Sequence, residues 1–111
     1  MRYVEHEGAA LKFTIIEPNG YKDGQGYPMV IFLHGFGSDM GDVARLTTRI
    51  DTERYIYACP NAPISMSTNG ATGYAWAPLA GEGAREAQLH AEALLRTFFQ
   101  EAFTEYGIVP G

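Results

Sequence analysis

"VIFLHGFGSDMGD", residues 30–42, carries an apolar run into a glycine-rich turn and then into acidic residues suited to opening a helix. Met29 to Leu33 is apolar without alternation, the pattern of a strand covered on both faces, as in parallel sheets packed between helices. That pattern predicts an α/β fold. Downstream, Val43, Leu46 and Ile50 fall at helical spacing, with Ser38, Asp39 and Asp42 available as caps, which predicts a helix over about 40–50. "RYIYACP", residues 54–60, is β-branched and aromatic and is stopped by proline, so it reads as a further strand. Upstream, "RYVEH" and "LKFTIIE" flank "EGAA" within residues 1–17, a hairpin signal, and "PNGYKDGQGYP", residues 18–28, is dense in turn formers and reads as a surface loop.

Residues 60–83 read as one long irregular stretch, and loops of that length are usually functional or disordered. Tyr74 and Trp76 argue for order, because aromatic rings are large apolar surfaces. The clearest helix is expected from Arg85 to Tyr106. There Ala87, Ala91, Leu94, Leu95, Phe98, Ala102, Phe103 and Tyr106 recur at spacings of three and four, and Gly107 is placed to cap the end. That stripe is read as core packing against a sheet.

The bulk properties narrow the possible functions. A chain of 111 residues with 46% hydrophobic and 19% charged content fits one globular domain, residues 1–111. The net charge of -5 and the scattering of eight Lys and Arg residues argue against a nucleic-acid partner. The longest apolar run is far short of a membrane span, and "MRYVEHEGAAL" lacks the apolar stretch of a signal peptide, which leads to the expectation of a cytoplasmic protein. Cys59 is the single cysteine, so neither an internal disulfide nor a cysteine-spaced zinc cluster can form. His6, His34 and His90 fall in separate elements without metal-site spacing, so no metal is expected.

Several chemistries compete for the turn "LHGFGSDMG". Gly35, Gly37 and Gly41 approach a dinucleotide-binding spacing, but that site needs an acidic residue about 20 positions on, where Cys59, Pro60 and Asn61 stand. A phosphate-binding loop fails for want of Gly-Lys-Ser/Thr. Ser38 fails as a nucleophile, because a nucleophile elbow requires G-x-S-x-G and Phe36 and Met40 occupy the flanking positions. An oxyanion hole fits: a glycine-flanked turn at the carboxyl end of a strand can aim a backbone N–H at a developing negative charge. Cys59, at an apolar strand end, reads as a buried structural residue.

"PMVIFLHGFGSDMGD", "YACPNAP" and "GATGYAWAPL", in that order and spacing, resemble the N-terminal half of the phospholipase/carboxylesterase family of α/β-hydrolases, which includes acyl-protein thioesterases. The similarity covers about residues 10–111. It implies a serine hydrolase of ester or thioester substrates, needing no cofactor, in which the Phe36 main-chain N–H supplies one oxyanion donor. Gly35 and Gly37 would allow the sharp turn, His34 would brace it by hydrogen bonding, and Trp76 would line the substrate pocket or pack as core. Pro60 to Pro63 would line the acyl pocket or its rim.

The same resemblance implies that the nucleophile strand would begin at "GIVPG", residues 107–111, so the nucleophilic serine and the triad's Asp and His are not among these residues. The strand at 29–33 would then present an apolar edge, which tends to recruit another strand. The remainder of the hydrolase domain as a second polypeptide, or a homodimer through residues 29–33, would cover it. A non-catalytic module that self-assembles through this edge is the alternative.

Overall fold

The computed structural model describes residues 1–68, 70–78 and 81–108. Strand β1 (Arg2–Glu7) and strand β2 (Lys12–Glu17) form the expected antiparallel hairpin, with Arg2 opposite Glu17 and Glu7 opposite Lys12. β3 (Met29–Ile31) and β4 (Ile56–Pro60) complete a four-stranded sheet in the order β1-β2-β4-β3, in which β4 runs antiparallel to β2 and parallel to β3. Residues 18–28 form the surface loop their composition predicts.

Why the strands carry apolar residues on both faces follows from what covers them. Side chains alternate across a strand, so Phe13, Ile15, Ile56 and Ala58 share one face, while Ile16, Tyr57 and Cys59 share the other. Helix α2 (Ala84–Glu105) lies on the first face through Phe98 and Ala102, both fully buried. Helix α1 (Met40–Leu46) lies on the second through Met40, Val43 and Ala44. The result is a sheet with a helix on each side. Aromatic packing fixes the α2 contact: Phe98 meets Phe13 edge to face at 5.1 Å, and Tyr106 meets Tyr21 in the same way at 5.9 Å.

Several boundaries differ from the sequence reading, each for a local reason. The helix expected over 40–50 ends at Leu46 and tightens into a 3-10 turn over Thr47–Arg49. There the hydroxyls of Thr47 and Thr48 donate back to the carbonyls of Ala44 and Arg45, competing with continued helix. The strand expected from residue 54 begins at Ile56, because Asp51 accepts from the N–H groups of Glu53 and Arg54 and holds them in a turn. The stretch at 60–83 is not irregular throughout. It contains a second hairpin, β5 (Ile64–Thr68) and β6 (Ala71–Ala75), whose pairs run from Ile64 with Ala75 to Thr68 with Ala71. α2 matches its expected span within one residue at each end and closes as predicted. The N–H groups of Gly107 and Ile108 bond to the carbonyls of Thr104 and Phe103, and Gly107 takes the left-handed φ of 63° that this closure requires.

The largest departure concerns β3. It is a strand for three residues rather than five, and Met29, Val30 and Ile31 are half-buried rather than covered. The reason is position: β3 is the last strand of the sheet. Ile56 N–H donates to Pro28 O and Phe32 N–H to Ala58 O, both at 3.0 Å, so the even-numbered peptide groups face β4. The N–H and C=O of Met29 and Ile31 therefore point to the open edge. The accessible surface of 6803 Å² exceeds the roughly 6,100 Å² expected of a compact 12.2 kDa monomer. The radius of gyration, 14.8 Å, is likewise above the expected value of about 13 Å. Among the described residues, no helix is long and apolar enough to cross a membrane.

Candidate active site at the carboxyl end of the sheet

In open α/β sheets, ligands bind in the crevice outside the carboxyl ends of the strands, where the loops after neighbouring strands converge. The loops that leave β3 and β4 meet there. His34, at the end of the β3 run, is 3% exposed and is held by three contacts. Its Nδ1–H donates to Gly35 O at 2.8 Å, its Nε2 accepts from Ala62 N–H at 3.0 Å, and its ring stacks on Trp76 with centroids 5.4 Å apart. An Nε2 that accepts a hydrogen bond carries no proton, so the imidazole is the Nδ1–H tautomer. Both ring nitrogens are engaged with backbone. His34 is thus tied to the loop backbone through both ring nitrogens.

That tie has a directional consequence. Gly35 O accepts from His34 Nδ1–H and also from Ser38 N–H at 3.1 Å. A trans peptide is planar, and its C=O and N–H point in opposite directions, so anchoring Gly35 O also aims the Phe36 N–H on the same peptide. That N–H has no hydrogen-bond acceptor among the described residues. Phe36 itself is 47% exposed. Gly37 takes a φ of 80°, a left-handed turn that glycine adopts without strain, and returns the chain toward α1.

The second hairpin is part of this construction. Gly37 N–H donates to Tyr74 O at 2.9 Å and Tyr74 N–H donates to Ser38 O at 2.8 Å, so β6 clips onto the loop as a short strand pair. Trp76 is half-buried, and its indole N–H donates to His34 O at 2.9 Å while its ring packs against the core beneath α2. Trp76 therefore ties the hairpin to the start of the loop as well as packing as core. Pro60, Asn61 and Ala62 are buried under the loop instead of standing at an open rim; the Asn61 side chain accepts from Met40 N–H at 2.9 Å, and Pro63 alone of the four is exposed.

Sequence reasoning missed this hairpin and the Asn61 bond. "TNGA", residues 68–71, holds an Asn-Gly pair, the strongest short-range hairpin signal, between runs with apolar residues at alternate positions. Gly70 has the positive φ, 79°, that such a turn uses.

No nucleophile converges on the free N–H among the described residues. The Ser38 hydroxyl donates to Asp42 Oδ2 at 2.6 Å, at the amino end of α1, where Asp39 caps the helix by accepting from Asp42 N–H. Burial pushes the Cys59 thiol up to about 12, so it stays protonated and inert. His6 and His90 lie on β1 and α2, away from the loop. A cavity of about 440 Å³ opens elsewhere, between β1 and α2, lined by His6, Phe13, Glu101, Thr104 and neighbours, away from the Phe36 N–H.

The described residues form a mixed α/β domain with a hydrolase-like fold. A solved structure of this class matches the chain along nearly its whole length: the crystal structure of esterase PE8, at 25% identity with a TM-score of 0.69. The match covers 99% of this chain and 49% of that one, so the chain spans about half the length of the esterase it resembles. No family model and no curated protein sequence matches the chain.

Proposed function

We propose that residues 1–111 are the N-terminal part of a serine carboxylesterase or thioesterase of the phospholipase/carboxylesterase type, a partial α/β-hydrolase domain that contributes the oxyanion-hole loop. One observation carries this reading: the Phe36 N–H is left free by a peptide whose carbonyl is held from two sides. In acyl transfer a serine hydroxyl attacks the carbonyl carbon of the ester, and the carbonyl oxygen becomes an oxyanion. A preorganised N–H aimed at that oxygen stabilises it, and loss of one such donor typically costs about 10²–10³ in rate. Phe36 supplies that donor, His34, Gly35 and Gly37 hold it, and Trp76 stands at the substrate side. The nucleophile, base and orienting acid come from the remainder of the domain, whose strand pairs with the open edge of β3. The remainder arrives as a second polypeptide or as a continuation of this chain. The reaction needs no cofactor, and the setting is the cytoplasm.

Fluorophosphonate labelling of the protein purified from its source tests this, followed by peptide mass spectrometry. The expected result is a labelled serine in a G-x-S-x-G sequence outside these 111 residues. Stoichiometric labelling of Ser38, Ser65 or Ser67 would overturn it.

A second reading rests on the open β3 edge and the excess surface: a non-catalytic module that pairs with its own copy through residues 29–33. Light scattering separates the two. A discrete homo-oligomer without a second polypeptide favours self-assembly, and a stoichiometric companion chain favours the split enzyme.

A further inference from the structure

The β5–β6 hairpin touches the loop at a point where no side chain fits. A Cβ on Gly73 would lie 2.0 Å from Gly37 O and 2.6 Å from Gly37 C, far inside contact distance and against backbone that cannot swing away. Gly73 is the residue before Tyr74, whose N–H and C=O make the two bonds to Ser38 and Gly37. Gly73 has no left-handed φ to explain it, in contrast to Gly37 and Gly70. Close approach is what the glycine provides.

We propose that Gly73 is a positioning residue for the Phe36 N–H, acting through the hairpin, an inference that rests on the oxyanion-loop reading for its catalytic consequence. The linkage runs through named contacts. Gly73 lets β6 approach Gly37 closely enough for Tyr74 to fix Gly37 and Ser38. Ser38 N–H in turn holds Gly35 O, and the rigid peptide passes that orientation to Phe36 N–H. At the other end, Trp76 holds His34 O, while His34 holds Gly35 O. The oxyanion donor is therefore set from both sides by one hairpin. A methyl group at position 73 must lift the hairpin or push peptide 37, and displacement of a catalytic group by about 1 Å can cost on the order of 10²-fold in rate.

Two readouts on Gly73→Ala test the inference. The first is amide hydrogen exchange on the 111-residue chain, with Ile15 and Ala58 as reporters of the intact sheet. Exchange at Gly37 and Tyr74 is expected to accelerate by about tenfold or more while those reporters hold. Unchanged exchange at Gly37 and Tyr74 overturns the positioning claim.

Should G73A unfold the sheet, Trp76→Phe decides instead. It keeps an aromatic ring against His34 and the core and removes the bond to His34 O, and exchange at Ser38, whose N–H holds Gly35 O, is expected to accelerate by about tenfold; unchanged exchange there overturns the claim. The second readout is ester hydrolysis by the protein from its source. G73A is expected to lower kcat by about 10–10²-fold with KM nearly unchanged. An equal fall through KM alone would mark Gly73 as a binding or folding residue. Wild-type protein without esterase activity would sink the proposed function and leave the exchange result to judge Gly73.

Discussion

The β1 edge of the sheet carries Arg2, Glu5 and Glu7 with their side chains in water, whereas the β3 edge carries Met29, Val30 and Ile31, half-buried, and runs on to Leu33, 45% exposed. Arg2 pairs with Glu17 at 3.3 Å and Lys12 with Glu7 at 3.2 Å, so the β1 side is fenced by charge. Charged side chains at an edge discourage further pairing, whereas apolar side chains beside free peptide groups leave that protection out. One side of this sheet is finished for solvent. The other leaves apolar side chains and free peptide groups at its edge.

The largest expected effect separates two neighbouring positions on β3. Val30→Pro removes an N–H that faces β4 and should destabilise the chain by about 2–3 kcal/mol, measured by urea unfolding. Ile31→Pro removes an N–H that faces the open edge and should cost under about 1 kcal/mol in the chain alone. Equal losses would break the assignment of the β3 edge as free.

A smaller effect concerns Glu17, which Arg2 and the Tyr106 hydroxyl share on the β1 side. Burial first, then the hydrogen bond and charge of Glu17, push the Tyr106 hydroxyl above its ordinary pKa of 10.0. A raised folded pKa gives stability that is fully present below the unfolded value near 10 and is lost as pH rises toward the folded one. Wild type should therefore lose melting temperature more steeply than Tyr106→Phe between pH 9 and about 11. Parallel curves would dissolve the Glu17 link. The smallest effect is at the fence itself: Arg2→Ala should change stability by no more than about 0.5 kcal/mol, since its side chain is 73% exposed. A larger loss would mean that the β1 edge depends on that ion pair.

The elements that could be read from sequence are those whose signal is local. The 22-residue α2 shows its apolar stripe and its terminal glycine within its own span, and β1, β2 and β4 show theirs. The edge position of β3 is legible only through the family resemblance, because "MVIFL" is the same run whether one neighbour or two lie beside it, and the strand order places it at the edge. The 64–75 hairpin was legible in its Asn-Gly pair but was obscured by the glycine and serine around it. For the candidate site, His34 stands out in the sequence as a histidine between a strand and a glycine turn. Its partners do not, since Ala62 and Trp76 lie 28 and 42 residues away and their bonds depend on tertiary placement.

The placement of α2 also has a consequence for how the chain is made. Phe98 and Ala102 cover Phe13, Ile15 and Ala58, and Glu101 accepts from Ala9 N–H, 92 residues earlier. On the ribosome, β2 and β4 are complete before the residues that shield their inner face exist. At synthesis rates of about 5–20 residues per second, that face waits on the order of seconds for its cover. Between the completion of β4 and the arrival of Phe98, the nascent chain therefore carries that apolar face without its native cover.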